Sequence, residues 1–278
     1  MKNQRPFSIL HGVGALALAT SVAAPASAQA PSEQARSFVV PAVFQAAGPT
    51  PASIQSTVDL YRAVLGAVNN GNNPGPLDGG RREINWDGGG STATSPGPTP
   101  FTVFLQTRGA SITTPGTGFV QAPLDGLVAT FGNDTYAAIF QPFSPVRLFS
   151  AVGSNLTEVE FFVPGSQGAS PATTTGFGAV FADVDRPNGT GPRGRLGNLR
   201  ASALIEYFDK DGALLYTGVV PASPGNARLS FFGIVFADAR IARVRITAGD
   251  KAPGGDDTSR VDIVMMDDLL YGEPKAVQ

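Results

Sequence analysis

The residues of this chain best suited to chemistry are carboxylates. Asp183, Asp185 and the following Asn188-Gly189 form the pattern D-x-D-x-x-N-G, and Asp267-Asp268 stand together inside an apolar stretch near the C-terminus. Oxygen-rich sets of this kind suit calcium, which takes about six to eight oxygens, largely carboxylates and backbone carbonyls. The spacing departs from the helix-loop-helix calcium loop, and no glutamate closes it. The expected metal ligands are Asp183, Asp185 and Asp267, joining two strand ends. The competing account is an Arg–Asp pair, because two adjacent carboxylates in an apolar strand need a partner and an unpaired buried charge is costly. A similar-looking motif, Asp209-Lys210-Asp211-Gly212, is better explained as a hairpin turn.

The second constellation is GGRREINWDGGG, residues 79–90. It is not a phosphate loop, since the Lys-Ser/Thr ending and the following helix are both missing. One reading pairs Arg81, Arg82, Glu83 and Asp87 with one another while Trp86 plugs the core. The other makes Arg81, Arg82, Trp86 and Asp87 a ligand-binding set, with the indole stacked on a sugar face and the polar groups bonded to hydroxyls.

The first residues narrow the chemistry. Lys2 and Arg5 precede an apolar run from Ile9 to Val22, and Ala26-Ser27-Ala28 offers a cleavage site, so residues 1–28 read as a signal peptide. The run is shorter than the ~20 apolar residues of a spanning helix. The only histidine, His11, lies inside this leader, and there is no cysteine. Export would leave neither imidazole nor thiol. That removes Ser-His-Asp and Cys-His catalysis, zinc sites built on His or Cys, and disulfides. Glycoside hydrolysis by two carboxylates remains open, with Glu83 and Asp87 the nearest candidates, as does lyase chemistry through Tyr, Lys or Arg.

Without Lys2 and Arg5 the chain carries 18 basic against 22 acidic residues, a formal charge of −4. No basic patch points to nucleic acid. No second apolar span follows the leader, so a secreted product, periplasmic or extracellular, without membrane insertion is expected.

Positioning these groups falls mainly to strands. The 34 glycines and 23 prolines suit short strands joined by turns. Strand-like runs occur at 37–45 (limited to a sheet edge by Pro41), 101–106, 117–122, 136–141, 146–152, 156–164 and 176–185. The last quarter adds ASALIEYF, ALLYTGVV, ARLSFFGIVF, IARVRITAG and RVDIVMMDDLLYG, the first two joined by the Asp211-Gly212 turn. Val159, Phe161 and Val163 share one face opposite Glu158 and Glu160, as do Ala242, Val244 and Ile246 opposite Arg243 and Arg245. One amphipathic helix is expected over 54–68, from Ile54, Val58, Tyr61, Leu65 and Val68, with Ser56 and Asp59 as a capping box. The fold class expected is all-β, an antiparallel sandwich formed by residues 29–278 as a single domain, with that helix packed against it.

The segments GFGAVFADVD, IEYFDKDGALL, RLSFFGIVF, IARVRITAGD and VDIVMMDDLLYGEP resemble an uncharacterised family of secreted bacterial proteins often found beside PEP-CTERM-sorted surface proteins. The closing pattern, apolar residues around Asp267-Asp268 and then an aromatic, is similar to the final strand of galactose-binding-like jelly-roll domains. The likeness covers roughly the second half of the chain, and GRREINWDG and TPGTGF are similar to the family's front half. It implies a jelly-roll sandwich, export and a calcium ion, and no enzymatic activity. These residues show no PEP-CTERM anchor helix, so that sorting route is not expected. The expected function is a secreted, non-enzymatic module that binds a glycan or a cell-surface partner, with structural calcium. A carboxylate-based glycoside hydrolase or polysaccharide lyase, and a structural matrix or surface protein, are the alternatives.

Overall fold

Period-two alternation and glycine-rich turns drive most of the chain into antiparallel strands. The computed structural model describes residues 39–186, 203–258 and 260–277, all within the unit Val39–Gln278. The leader with His11, the first residues of the 37–45 run and Asn188-Gly189 lie outside the described residues.

The strands of the first half are β1 (Ala42–Gly48), β2 (Arg81–Ile84), β3 (Ser95–Gly97), β4 (Ala110–Thr113), β5 (Gly118–Ala122), β6 (Leu148–Val152) and β7 (Leu156–Phe161). Those of the second half are β8 (Ala172–Thr173), β9 (Gly176–Ala182), β10 (Ala203–Phe208), β11 (Leu214–Val219), β12 (Leu229–Val235), β13 (Arg243–Ala248), β14 (Met265–Gly272) and β15 (Lys275–Ala276). Helices are α1 (Pro51–Leu65), α2 (Leu105–Arg108), α3 (Leu124–Phe131) and α4 (Tyr136–Ile139). The larger sheet runs β1-β12-β9-β14-β6-β5-β3, with β2 also on β14, and the smaller runs β11-β10-β13-β7-β4. All their ladders are antiparallel, and β8 and β15 form a separate pair.

The two sheets enclose one core, in which Phe177, Phe181 and Tyr271 of the larger sheet join Tyr207, Val244 and Ile246 of the smaller. The outer face of the larger sheet is covered as well: Ile54, Val58, Tyr61 and Leu65 of α1, with Leu127 and Tyr136, pack on Val180, Phe231 and Leu270. Strands β9 and β14 are buried along their whole length for this reason, which is why they read as continuous apolar runs. In β7 and β13 the expected alternation holds, and Arg243 and Arg245 each reach Glu158 at 2.7 Å on the outer face.

Several local expectations are corrected. Residues 101–106 form no strand: Phe101 makes a single bridge to Ile112 and α2 follows. The expected strand at 136–141 is instead α4 (Tyr136–Ile139), which with α3 lies over the sheet, so helix is not confined to one segment. Short apolar runs do not distinguish a strand from a buried helical turn. Helix α1 spans Pro51–Leu65 rather than 54–68, leaving Val68 exposed. Its N-terminal contact is Thr50 N–H to Ser53 Oγ at 3.2 Å, not the Ser56–Asp59 pair. It ends at Gly66, where a side chain would strike the Gly80 backbone.

Candidate functional site

The register of β9 against β14 builds an acidic centre. Met265 faces Ala182, so the segment entering β14 runs beside the segment leaving β9. Asp262 thereby meets Asp183, and Asp257 joins from the intervening loop. One carboxylate oxygen from each lies within 4.8 Å of the other two. Asp183 is fully buried, and neither of its carboxylate oxygens has a hydrogen-bond partner. It also holds a left-handed backbone, φ 70°, which a residue with a side chain adopts at a cost. Its N–H donates to Arg228 O at 2.9 Å. Burial first, then repulsion from Asp185, Asp257 and Asp262, pushes its carboxyl up to about 9. Burial raises Asp257 too, although its Oδ1 accepts the Ile263 N–H at 3.0 Å.

Asp185 borders this centre. Its N–H donates to Asp262 Oδ2 at 3.0 Å, while its own Oδ1 accepts Gly225 N–H at 2.8 Å. Of the three expected ligands, Asp183 alone belongs to the cluster; Asp185 touches it through its backbone N–H, and Asp267 lies elsewhere. Strand β14 carries Asp267 past the rung opposite Ala182 and into a bulge, where the register slips between Met266 and Leu269. The sequence reasoning missed Asp257 and Asp262. Their signal was the acidic, glycine-rich stretch GDKAPGGDDTSRVD, which contains four aspartates, Asp250 among them.

The bulge buries both Asp267 and Asp268. Asp267 Oδ2 accepts the Phe143 and Ser144 N–H groups at 2.6 and 3.2 Å. Asp268 Oδ2 takes Arg62 Nη2 at 3.1 Å, the Arg–Asp pair named as the competing account. Ser144 Oγ lies 2.8 Å from Asp268, 3.1 Å from Asp87 and 3.3 Å from Asp267. One hydroxyl carries one proton, so Ser144 donates to one of these carboxyls at a time. Burial, then Asp268, raises Asp267 well above the usual range, and burial lifts Asp268 to about 6.

The loop at 79–90 is built differently from its expected ligand surface. Arg81 to Ile84 form β2, paired with the end of β14. Arg82 is fully buried: its Nε and Nη2 clasp Glu273 at 2.6 and 2.7 Å, and Nη1 donates to the carbonyls of Gly71, Asn73 and Thr107. Arg81 binds Glu83 at 2.6 Å and the carbonyls of Gly66 and Ala67. Trp86 is 1% exposed, stacks on Phe149 at 3.6 Å and donates its Nε1–H to Asp267 O at 2.7 Å. Asp87 accepts the Val146 and Arg147 N–H groups at 2.6 and 3.0 Å. These four side chains thus hold the structure together, and the indole face expected for a sugar is taken by Phe149.

What they position is a cavity of about 470 Å³ on the adjoining surface. Trp86 and Phe104 line its apolar side, and Asn85, Gln121, Arg108 and Arg147 its polar side. Two larger clefts, of about 660 and 600 Å³, flank the turn at Asp209–Gly212. Their charged rim residues Lys210 and Asp211 are exposed and pair with each other at 3.2 Å.

No family model, no curated protein and no solved structure matches this chain. Among the described residues no helix is long and apolar enough to cross a membrane.

Proposed function

We propose that this protein is an exported binding module that takes a glycan in the cavity beside Trp86 and holds a calcium ion at Asp183, Asp257 and Asp262. The observation that carries the glycan reading is the cavity itself. Its volume falls in the range of about 300–1,000 Å³ typical of small-ligand sites, and amide side chains converge on an aromatic wall. Retention on immobilised polysaccharides, lost or weakened several-fold in Gln121→Ala, tests it. Absence of retention on every polymer tried would end it. Gln121 suits the test because Trp86→Ala would damage the core.

The calcium reading is supported by Asp183. A buried carboxylate with two unpartnered oxygens facing two further acids needs a counter-charge. Oxygens bound to one calcium at about 2.4 Å can lie up to about 4.8 Å apart, which the three aspartates satisfy. A melting temperature unchanged between millimolar calcium and excess chelator would refute it, since a ligand of the folded state alone must stabilise that state.

The strand order supports a jelly-roll reading. Eight consecutive long strands, β6, β7 and β9 to β14, divide into β6-β14-β9-β12 in one sheet and β7-β13-β10-β11 in the other. Successive strands of the first four alternate between sheets, and so do the last three, as when a hairpin ribbon wraps around a barrel. The leader reading of residues 1–28 supports export.

A further inference from the structure

Arg108 and Arg147 both line the cavity beside Trp86, and among the described residues neither has a carboxylate oxygen within 4.0 Å. In contrast, Arg62, Arg81 and Arg82 all have acidic partners. Arg147 is 4% exposed; it binds the carbonyls of Trp86 and Ala93, and its Nε–H is buried without an acceptor. Arg108 lies 4.8 Å from the centre of the Phe104 ring and gives its Nε–H to Asn72 at 3.1 Å and an Nη1–H to Glu83 O. Among the described residues no acidic side chain lines this cavity. Glu83 turns to Arg62 and Arg81, and Asp87 turns to the Val146 and Arg147 amides. The wall therefore carries two guanidinium groups with no directly paired carboxylate, beside two aromatic side chains and the amides of Asn72, Asn85 and Gln121.

We propose that the cavity is selective for the carboxylate-bearing ring of an acidic polysaccharide, a uronate unit. Its carboxylate would sit against Arg108 and Arg147, since a planar carboxylate matches the donor fork of a guanidinium. Its hydroxyls would meet Asn85 and Gln121, and its apolar C–H face the Phe104 side. This rests on the glycan reading above and names the sugar class.

Titration calorimetry of the full mature chain tests it, using oligomers of galacturonate, glucuronate and mannuronate beside neutral oligomers of the same length. Acidic oligomers are expected to bind about tenfold more tightly, with the gap closing as salt rises. Val103 gives a second arm: it lines the cavity, is 64% exposed, and can be changed without touching the bonds above. Val103→Glu should weaken the acidic oligomer roughly five- to tenfold and leave the neutral one alone, and Val103→Lys should strengthen it. Equal binding of both classes, or indifference to Val103→Glu, overturns the proposal and leaves the glycan reading standing. Competition by inorganic sulfate at matching concentration would make this a general anion site and overturns it too. Binding of neither class overturns both.

Discussion

Asp183 is the side chain at which the proposed calcium site is best tested. With its carboxyl pushed up to about 9, the folded chain without metal holds a proton that the unfolded chain releases near pH 4. The folded state then binds more protons than the unfolded state between those limits, so stability falls as pH rises through the window. On the proposed calcium reading a cation would replace the proton, and its stabilisation would grow with pH. In chelator, denaturant midpoints from pH 5 to pH 8.5 should show a loss on the order of 2–4 kcal/mol, with Asp268 contributing at the acidic end. Asp183→Asn should remove the share of that slope that belongs to Asp183, leaving the part due to Asp257, Asp267 and Asp268, and abolish the calcium response. A slope identical in Asp183→Asn and wild type would show that this carboxyl is not the group involved. The types of residue needed were visible in the sequence, but the membership of the cluster was not. Asp183 finds Asp262 through a ladder register, and Asp267 is diverted by a bulge.

Among the elements, α1 and the two central strands depend on absent side chains. Gly178 and Gly233 face each other across the β9–β12 ladder, and the Tyr61 ring lies over both. A Cβ on Gly233 would come 2.8 Å from Tyr61 Cζ and 3.1 Å from Gly178 Cα. The tyrosine hydroxyl, donated to Ile234 O at 3.1 Å, holds the ring in place. Gly233→Ala should cost about 1–3 kcal/mol by overpacking. The cost should shrink when Tyr61 is shortened to Leu, because the two positions are coupled through contact. Additive effects in a denaturation double-mutant cycle would show that the helix does not rest on the glycine pair. The helix face was legible, since Ile54, Val58, Tyr61 and Leu65 recur at helical spacing and are all buried. The surface it rests on was not, because a glycine in a strand does not name the residue that crosses it.

Considered as one molecule, the two apolar cores are the two faces of the same sheet. Loss of either face exposes β9 and β14, so the helical layer and the sandwich should unfold together. Trp86, the sole tryptophan, sits in the sandwich core and reports on it. Its emission should be blue-shifted in the folded state, and its red shift on heating should coincide with loss of the far-ultraviolet signal. Two separated transitions would mean that the helical layer is an independent unit.

Alternation and turn chemistry were enough to read an antiparallel β protein. They reported correctly on β7 and the β10–β11 hairpin because periodicity is local, carried by neighbours along one strand. Which carboxylates converge, that Trp86 is sealed by Phe149, and that Arg108 and Arg147 share a cavity were decided by tertiary structure alone. Each of these depends on strand order, register and the bulge in β14, which arise from pairing between segments far apart in the chain.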